Sequence, residues 1–156
     1  MGLDTPALRS LAGSGLDYRI VETAVPSNPE ESAALQGIDL GQLLRTIVVR
    51  RGEDDYLFVL VPGGRQIDWP KLRALLGTRR LSLPDREEAR TATGYERGAI
   101  TPFGATRAWP VVADATVAAA GIVAIGAGAR GANVHLEASR LLALLHAQVA
   151  DVTKPG

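Results

Sequence analysis

The stretch best suited to chemistry in this sequence runs Thr93-Gly94-Tyr95-Glu96-Arg97-Gly98-Ala99-Ile100-Thr101-Pro102-Phe103-Gly104. Three glycines and a proline within twelve residues, between a helix pattern and a strand pattern, specify a loop of defined shape. Glycine admits positive φ and lets a ligand come close to the backbone, while Pro102 fixes one side of the turn. Such a loop can aim several N–H groups at one oxygen, as stabilisation of an oxyanion requires. It can equally be a connection that ends a helix at Gly94, and composition by itself leaves both readings standing.

The rest of the composition limits the chemistry. The chain has 156 residues, no cysteine, and only His135 and His146 as histidines. Thiol catalysis, disulfides, cysteine-ligated metals and multi-histidine zinc sites are thereby excluded. No close set of Asp and Glu suggests a Mg²⁺ site, so no metal and no cofactor is expected. Backbone groups, hydroxyls, amides, carboxylates and arginines remain.

Three other features offer weaker signals. Gly126-x-Gly128-x-x-Gly131 matches the dinucleotide-binding fingerprint, but Asn133-Val134-His135-Leu136 follows as a strand where that motif needs a helix. His135 reads as a surface or hydrogen-bonded polar residue, His146 as a cation in the last turn of a helix, and Asp114 as a turn residue rather than a pocket acid. Tyr95 is placed either to stack on a base or to anchor the loop to the core.

Net charge is zero, from 17 basic and 17 acidic residues, which weighs against an extensive nucleic-acid surface. The charge is uneven, however. Arg65, Lys71, Arg73, Arg79 and Arg80 face one acid, Asp68, within sixteen residues. That segment is either a solvated helix with its flanks or a face that steers phosphates.

The elements that must hold the loop are legible from their punctuation. Thr5 caps a short helix to Ala12 with Pro6 in its first turn, and Asn28-Pro29-Glu30-Glu31 opens one that ends at Gly37. Asp68 opens a helix stopped by Gly77, Asp85 opens one stopped by Gly94, and Ala138–His146 forms the last. Tyr18–Val25, Thr46–Arg50, Tyr56–Val61, Trp109–Ala113, Gly121–Ile125 and Asn133–Leu136 read as strands, with a hairpin loop over Arg51–Asp55. Several strands follow one another without a crossover helix, which favours a mixed α+β sheet over a doubly wound one. No linker or repeat appears, so residues 1–156 are expected to form a single domain. The longest apolar run, Ala113–Ala127, is interrupted by Asp114, Thr116 and two glycines, and Met1–Arg9 lacks a leader pattern. No membrane association and a cytoplasmic location are expected.

At this point the sequence resembles a family. Thr93-Gly94-Tyr95 followed by Gly98-x-x-x-Pro102-x-Gly104 is similar to the central loop of the YbaK/prolyl-tRNA synthetase-associated domain. Leu44-Arg45-Thr46-Ile47-Val48-Val49 resembles that family's strand with a Lys-Thr pair. Gly128-Ala129-Arg130-Gly131 and then Asn133-Val134-His135-Leu136 resemble its penultimate strand entry.

The resemblance implies an α+β fold with a mixed, largely antiparallel sheet curled into a barrel-like core with flanking helices. It implies an aminoacyl-tRNA editing hydrolase that deacylates mischarged tRNA in trans, similar to deacylases of Cys-tRNA(Pro) or Ala-tRNA(Pro). The alternative is an inactive tRNA- or nucleotide-binding module of the same fold. The partners implied are the aminoacylated 3′ end of a tRNA and an aminoacyl-tRNA synthetase. Gly98, Thr101 and Arg45 are expected to do the chemistry through backbone donors and a cation. Tyr95, Ala99, Ile100, Pro102, Gly104 and Asn133 are expected to contact substrate, and Arg73, Arg79 and Arg80 to contact tRNA. Two positions depart from the pattern: Arg45 stands where the family carries lysine, and the neutral Asn133 where some cysteine-specific members carry an acid.

Overall fold

The computed structural model describes residues 3–156. Met1 and Gly2, the first two residues of the segment without a leader pattern, lie outside the described residues.

Local sequence signals account for most of the helices. Helices α1 (Pro6–Ala12), α2 (Pro29–Gln36), α3 (Trp69–Leu76) and α4 (Arg86–Thr93) are each capped by the expected side chain, namely Thr5, Asn28, Asp68 and Asp85. Each cap accepts a backbone N–H from the first turn and so satisfies a donor that the helix leaves unpaired. Gly37, Gly77 and Gly94 end α2, α3 and α4 in the left-handed conformation. Helix α6 spans Ala138–Leu144 and ends two residues earlier than expected. His146 therefore lies beyond the helix, exposed, with φ +50°.

Three sheets form around these helices. Strands β1 (Arg19–Glu22), β7 (Ala132–Glu137) and β6 (Ile122–Gly126) make an antiparallel sheet in the order β1-β7-β6. Strands β2 (Leu44–Gly52), β3 (Asp55–Pro62), β5 (Val111–Asp114) and β8 (Gln148–Ala150) make a mixed sheet, with β2–β3 antiparallel and β3–β5 and β5–β8 parallel. The β2–β3 turn is tighter than the expected loop: Gly52 pairs with Asp55, and Glu53 and Asp54 alone turn the chain. Strands β4 (Arg65–Ile67) and β9 (Thr153–Pro155) form a separate antiparallel pair.

The mixed α+β architecture agrees with the expectation, but no sheet closes into a barrel. The two larger sheets meet at one parallel bridge, Leu43 with Ala124, after which β2 continues along β3. Strand β1 ends one sheet and β8 the other, and these two outer edges do not pair.

Two apolar clusters hold the assembly. The larger lies between the sheets: Leu44, Val48, Phe58 and Leu60 on one side, Val123, Ile125, Val134 and Leu136 on the other, sealed by α1 and α6. The smaller covers the opposite face of the mixed sheet, where Val49, Leu57, Val59 and Val61 pack under Leu72 of α3. Strand β3 is therefore buried on both faces, which is why Tyr56–Val61 is a continuous apolar run instead of an alternating one. Asp114 closes β5 as a buried cap of the short helix α5 (Ala115–Ala118), and it also accepts the Val152 N–H at 3.0 Å. Burial would raise its pKa, but hydrogen bonds from Thr116 and the Val152 amide outweigh that and hold it below the usual value.

Candidate active site

A cavity of about 360 Å³ opens where α2, the start of β2, the loop after α4 and the ends of β6 and β7 converge. Of the sequence-derived candidates, Arg45, Gly98, Ile100 and Asn133 line it. Each wall comes from a different part of the chain, so the strand pairing and the loop jointly create the site.

The loop supplies backbone. Gly98 has φ +91°, a conformation that strains any side chain, and a Cβ there would stand 3.3 Å from Arg130 Nε. The Ala99 N–H donates to Glu96 O at 2.9 Å and so is consumed inside the turn. The N–H groups of Gly98 and Ile100 have no partner among the described residues. Arg130 donates from Nε and Nη2 to the Arg97 carbonyl at 3.2 and 3.1 Å, fixing the residue before Gly98.

The strands supply the facing wall. Arg45 pairs with Val61 and Thr46 with Leu60, so their side chains leave β2 on opposite faces. The Arg45 Nη2 donates to the Arg65 carbonyl of β4, while its Nε and the Thr46 Oγ1 are buried without a partner. Asn133 of β7 stands opposite Gly126 of β6. At Gly126 a Cβ would stand in ordinary contact, 3.5 Å from the Ile100 carbonyl.

The structure sets several of the expected contact residues away from this cavity. Tyr95 does not stand at the cavity: its ring is buried and its hydroxyl donates to the Phe103 carbonyl at 2.5 Å. Burial raises its pKa. It anchors the loop, the second of the two roles considered for it. Thr101 is fully buried with its Oγ1 unpartnered, and Ala99 is buried; neither lines the cavity. Gly104 packs against α1, where a Cβ would lie 2.4 Å from Pro6 C and O. Pro102 lines a different recess, with Trp109 and Leu145. Arg73 lies half-buried on α3 and Arg79 and Arg80 are exposed just beyond it; none of them lines the cavity.

Some lining residues were not singled out from sequence. Ser32 of α2, Thr46, Gly126 and Arg97 all contribute to the wall. Ser32 is tied to a buried chain: Gln36 Nε2 donates to its Oγ at 2.9 Å, and Gln36 Oε1 lies 2.9 Å from His135 Nε2. His135 is thus the hydrogen-bonded polar residue of the two readings considered. Burial, and then the Arg19 guanidinium near its Nδ1, push its pKa below the usual value. The i, i+4 spacing of Ser32 and Gln36 was a usable signal, since it places both on one face of a helix. Gly128 and Gly131 serve close packing, against the Tyr95 ring and the Thr23 carbonyl, and β7 follows them as a strand.

The polar residues lining the cavity are Ser27, Asn28, Ser32, Arg45, Thr46, Arg97 and Asn133, with no Asp, Glu or His among the lining residues. Such a site suits an ester that is already activated, needing positioning and charge stabilisation more than a strong base.

Fold and site together define a small α+β protein whose cavity is lined by loop backbone and polar side chains. A family model described as the aminoacyl-tRNA editing domain matches residues 25–144, and the chain belongs to that family. Among curated relatives, a candidate Cys-tRNA(Pro)/Cys-tRNA(Cys) deacylase of Enterococcus faecalis is 24% identical over 152 residues, 96% of this chain and 93% of that protein. The proline–tRNA ligase of Xanthomonas axonopodis pv. citri is 30% identical over 129 residues, 83% of this chain but 22% of the ligase. Among solved structures, a candidate trans-editing enzyme for prolyl-tRNA synthetase superposes with a TM-score of 0.86 at 29% identity, covering 98% of this chain and 99% of that one.

Proposed function

We propose that residues 1–156 act as one editing domain that hydrolyses, in trans, the ester between a small amino acid, cysteine or alanine, and the 3′ end of tRNA(Pro). The carrying observation is the pair of unpartnered N–H groups at Gly98 and Ile100 on a cavity wall that holds no acid or imidazole. The relatives named for cysteine and for proline charging support the choice of substrate. The volume is at the small end of ligand pockets, about 300–1,000 Å³, which suits a terminal adenosine bearing a short side chain.

In the reaction, water adds to the ester carbonyl carbon, and the carbonyl oxygen takes the developing charge. On this reading the Gly98 and Ile100 N–H groups receive that charge, and Arg45 supplies a cation. Collapse expels the ribose oxygen, which takes up the proton that water loses, leaving a free amino acid and tRNA. For a cysteinyl ester the substrate's own thiol sulfur is the alternative nucleophile: it bonds to the carbonyl carbon, the ribose oxygen leaves with the thiol proton, and the cyclic thioester formed is opened by water to free cysteine. Loss of one oxyanion donor typically costs about 10²–10³ in rate. The reaction belongs in the cytoplasm, where charged tRNA is used, and a prolyl-tRNA synthetase is the source of the mischarged substrate.

The test is deacylation of tRNA(Pro) carrying cysteine, alanine or proline, and of tRNAs correctly charged with cysteine, alanine, serine and threonine, with wild type and Gly98→Ala. Cleavage of a mischarged tRNA(Pro) by wild type and its loss in the variant support the proposal. Binding of tRNA without cleavage of any charged species overturns it and leaves a tRNA-binding module.

A further inference from the structure

The buried chain behind α2 carries a consequence for substrate selection. Ser32, Gln36 and His135 are each 7% exposed, and they are joined in series. Because the Gln36 amide nitrogen donates to Ser32 Oγ, its carbonyl oxygen must be the group that faces His135. His135 Nε2 therefore carries the proton, and the bare Nδ1 faces Arg19 Nη2 at 3.5 Å. Arg19 is the charged group that faces this ring, and a second proton on the imidazole is disfavoured there.

The direction of the whole chain follows from these constraints. Ser32 Oγ receives a hydrogen bond from Gln36, so its own proton is free for another acceptor. No acceptor within the described residues takes it, and Ser32 lines the cavity beside Asn133 and Gly98. A serine in a helix ordinarily turns its hydroxyl back to the carbonyl four residues earlier, and here the Gln36 bond holds the oxygen in place. A fixed donor with one lone pair to spare is thus presented to whatever occupies the pocket. The wall lacks a carboxylate, so neutral oxygens must meet the polar groups of the bound amino acid.

We infer that Ser32 is a substrate-contacting, specificity-determining hydroxyl of this site, and that Gln36 and His135 are positioning residues that fix its direction. The inference rests on the editing reading. It concerns the aminoacyl group, not the tRNA body.

The test is a double-mutant cycle on the wild-type chain with its best mischarged tRNA. Ser32→Ala is expected to lower kcat/KM about tenfold, the size of one hydrogen bond, and to narrow the discrimination between amino acids. Affinity for uncharged tRNA stays unchanged, and Ser32→Thr, which keeps the hydroxyl, recovers the rate. Gln36→Met lowers kcat/KM comparably in wild type but adds nothing in the Ser32→Ala background, because its effect passes through Ser32. Ring ¹⁵N shifts of His135 report the Nε2–H form at neutral pH. Unchanged kinetics and selectivity in Ser32→Ala, or additive losses in the cycle, overturn the inference. If wild type cleaves no charged tRNA, the editing reading itself fails, a result that these variants do not influence.

Discussion

The Tyr95 hydroxyl donates to the Phe103 carbonyl at 2.5 Å, tying together the two ends of the loop that carries Gly98 and Ile100. The bond spans eight residues, is buried, and leaves the residues between its ends as a closed lobe whose tip reaches the cavity. Thr93 reinforces the entry to the loop, with its Oγ1 accepting the Tyr95 N–H at 3.1 Å.

Tyr95→Phe therefore removes a donor and strands the Phe103 carbonyl in a dry environment. The expected loss is about 1–3 kcal/mol of folding stability, read from the urea midpoint. Deacylation should fall as well, since the lobe loosens. An unchanged midpoint would show that the bond contributes nothing to the fold.

Arg45 stands on the cavity wall with its Nη2 bound to the Arg65 carbonyl. Arg45→Met should reduce kcat/KM about tenfold or more, as expected for loss of a charged hydrogen-bonding group. Arg45→Lys should regain most of that rate, because the family pattern places a lysine there and the cation is kept. Wild-type turnover in the methionine variant would remove Arg45 from the mechanism.

The basic segment along α3 can be tested separately from the chemistry. Arg73, Arg79 and Arg80 form no ion pair with a carboxylate among the described residues. Changing all three to Gln should raise KM for charged tRNA and reduce the salt dependence of binding, by about 0.7–0.9 in slope for each phosphate no longer neutralised. Turnover of a short aminoacyl-adenosine ester should not change. A KM and salt slope equal to wild type would place the tRNA backbone elsewhere.

Stability should respond to alkali through Tyr56. The hydrogen bond to Glu88, then burial and the Glu88 charge, raise its pKa to about 12 from 10. The folded state thus holds a proton that the unfolded chain releases above about pH 10. The contribution is complete below pH 10 and is lost as pH rises towards 12. Denaturation midpoints measured from pH 9 to 12 should fall over that window, and Tyr56→Phe should flatten the fall. An equal fall in both proteins would assign it to other groups.

Helix boundaries were legible because their causes are local. Asn28, Asp68 and Asp85 cap within three residues of themselves, and Gly37, Gly77 and Gly94 stop each helix by their own backbone conformation. The long strands were legible from apolar content. Strands β4, β8 and β9, at three residues each, were not, since so short a run shows no period and each exists only through a distant partner, as Ile67 with Thr153 or Ala113 with Val149.

The site divided along the same line. Sequence alone determined that the loop would be shaped by Gly98 and Pro102, that no thiol or histidine cluster could act, and which family pattern the residues follow. Tertiary structure decided which loop residues meet the cavity. Ala99 lost its N–H to Glu96, Tyr95 turned inward to Phe103, and Gly104 went to the start of α1. It also joined Ser32 and His135, far apart in sequence, through Gln36. Side-chain direction and long-range partners depend on how the elements pack, and composition or spacing along the chain does not encode them.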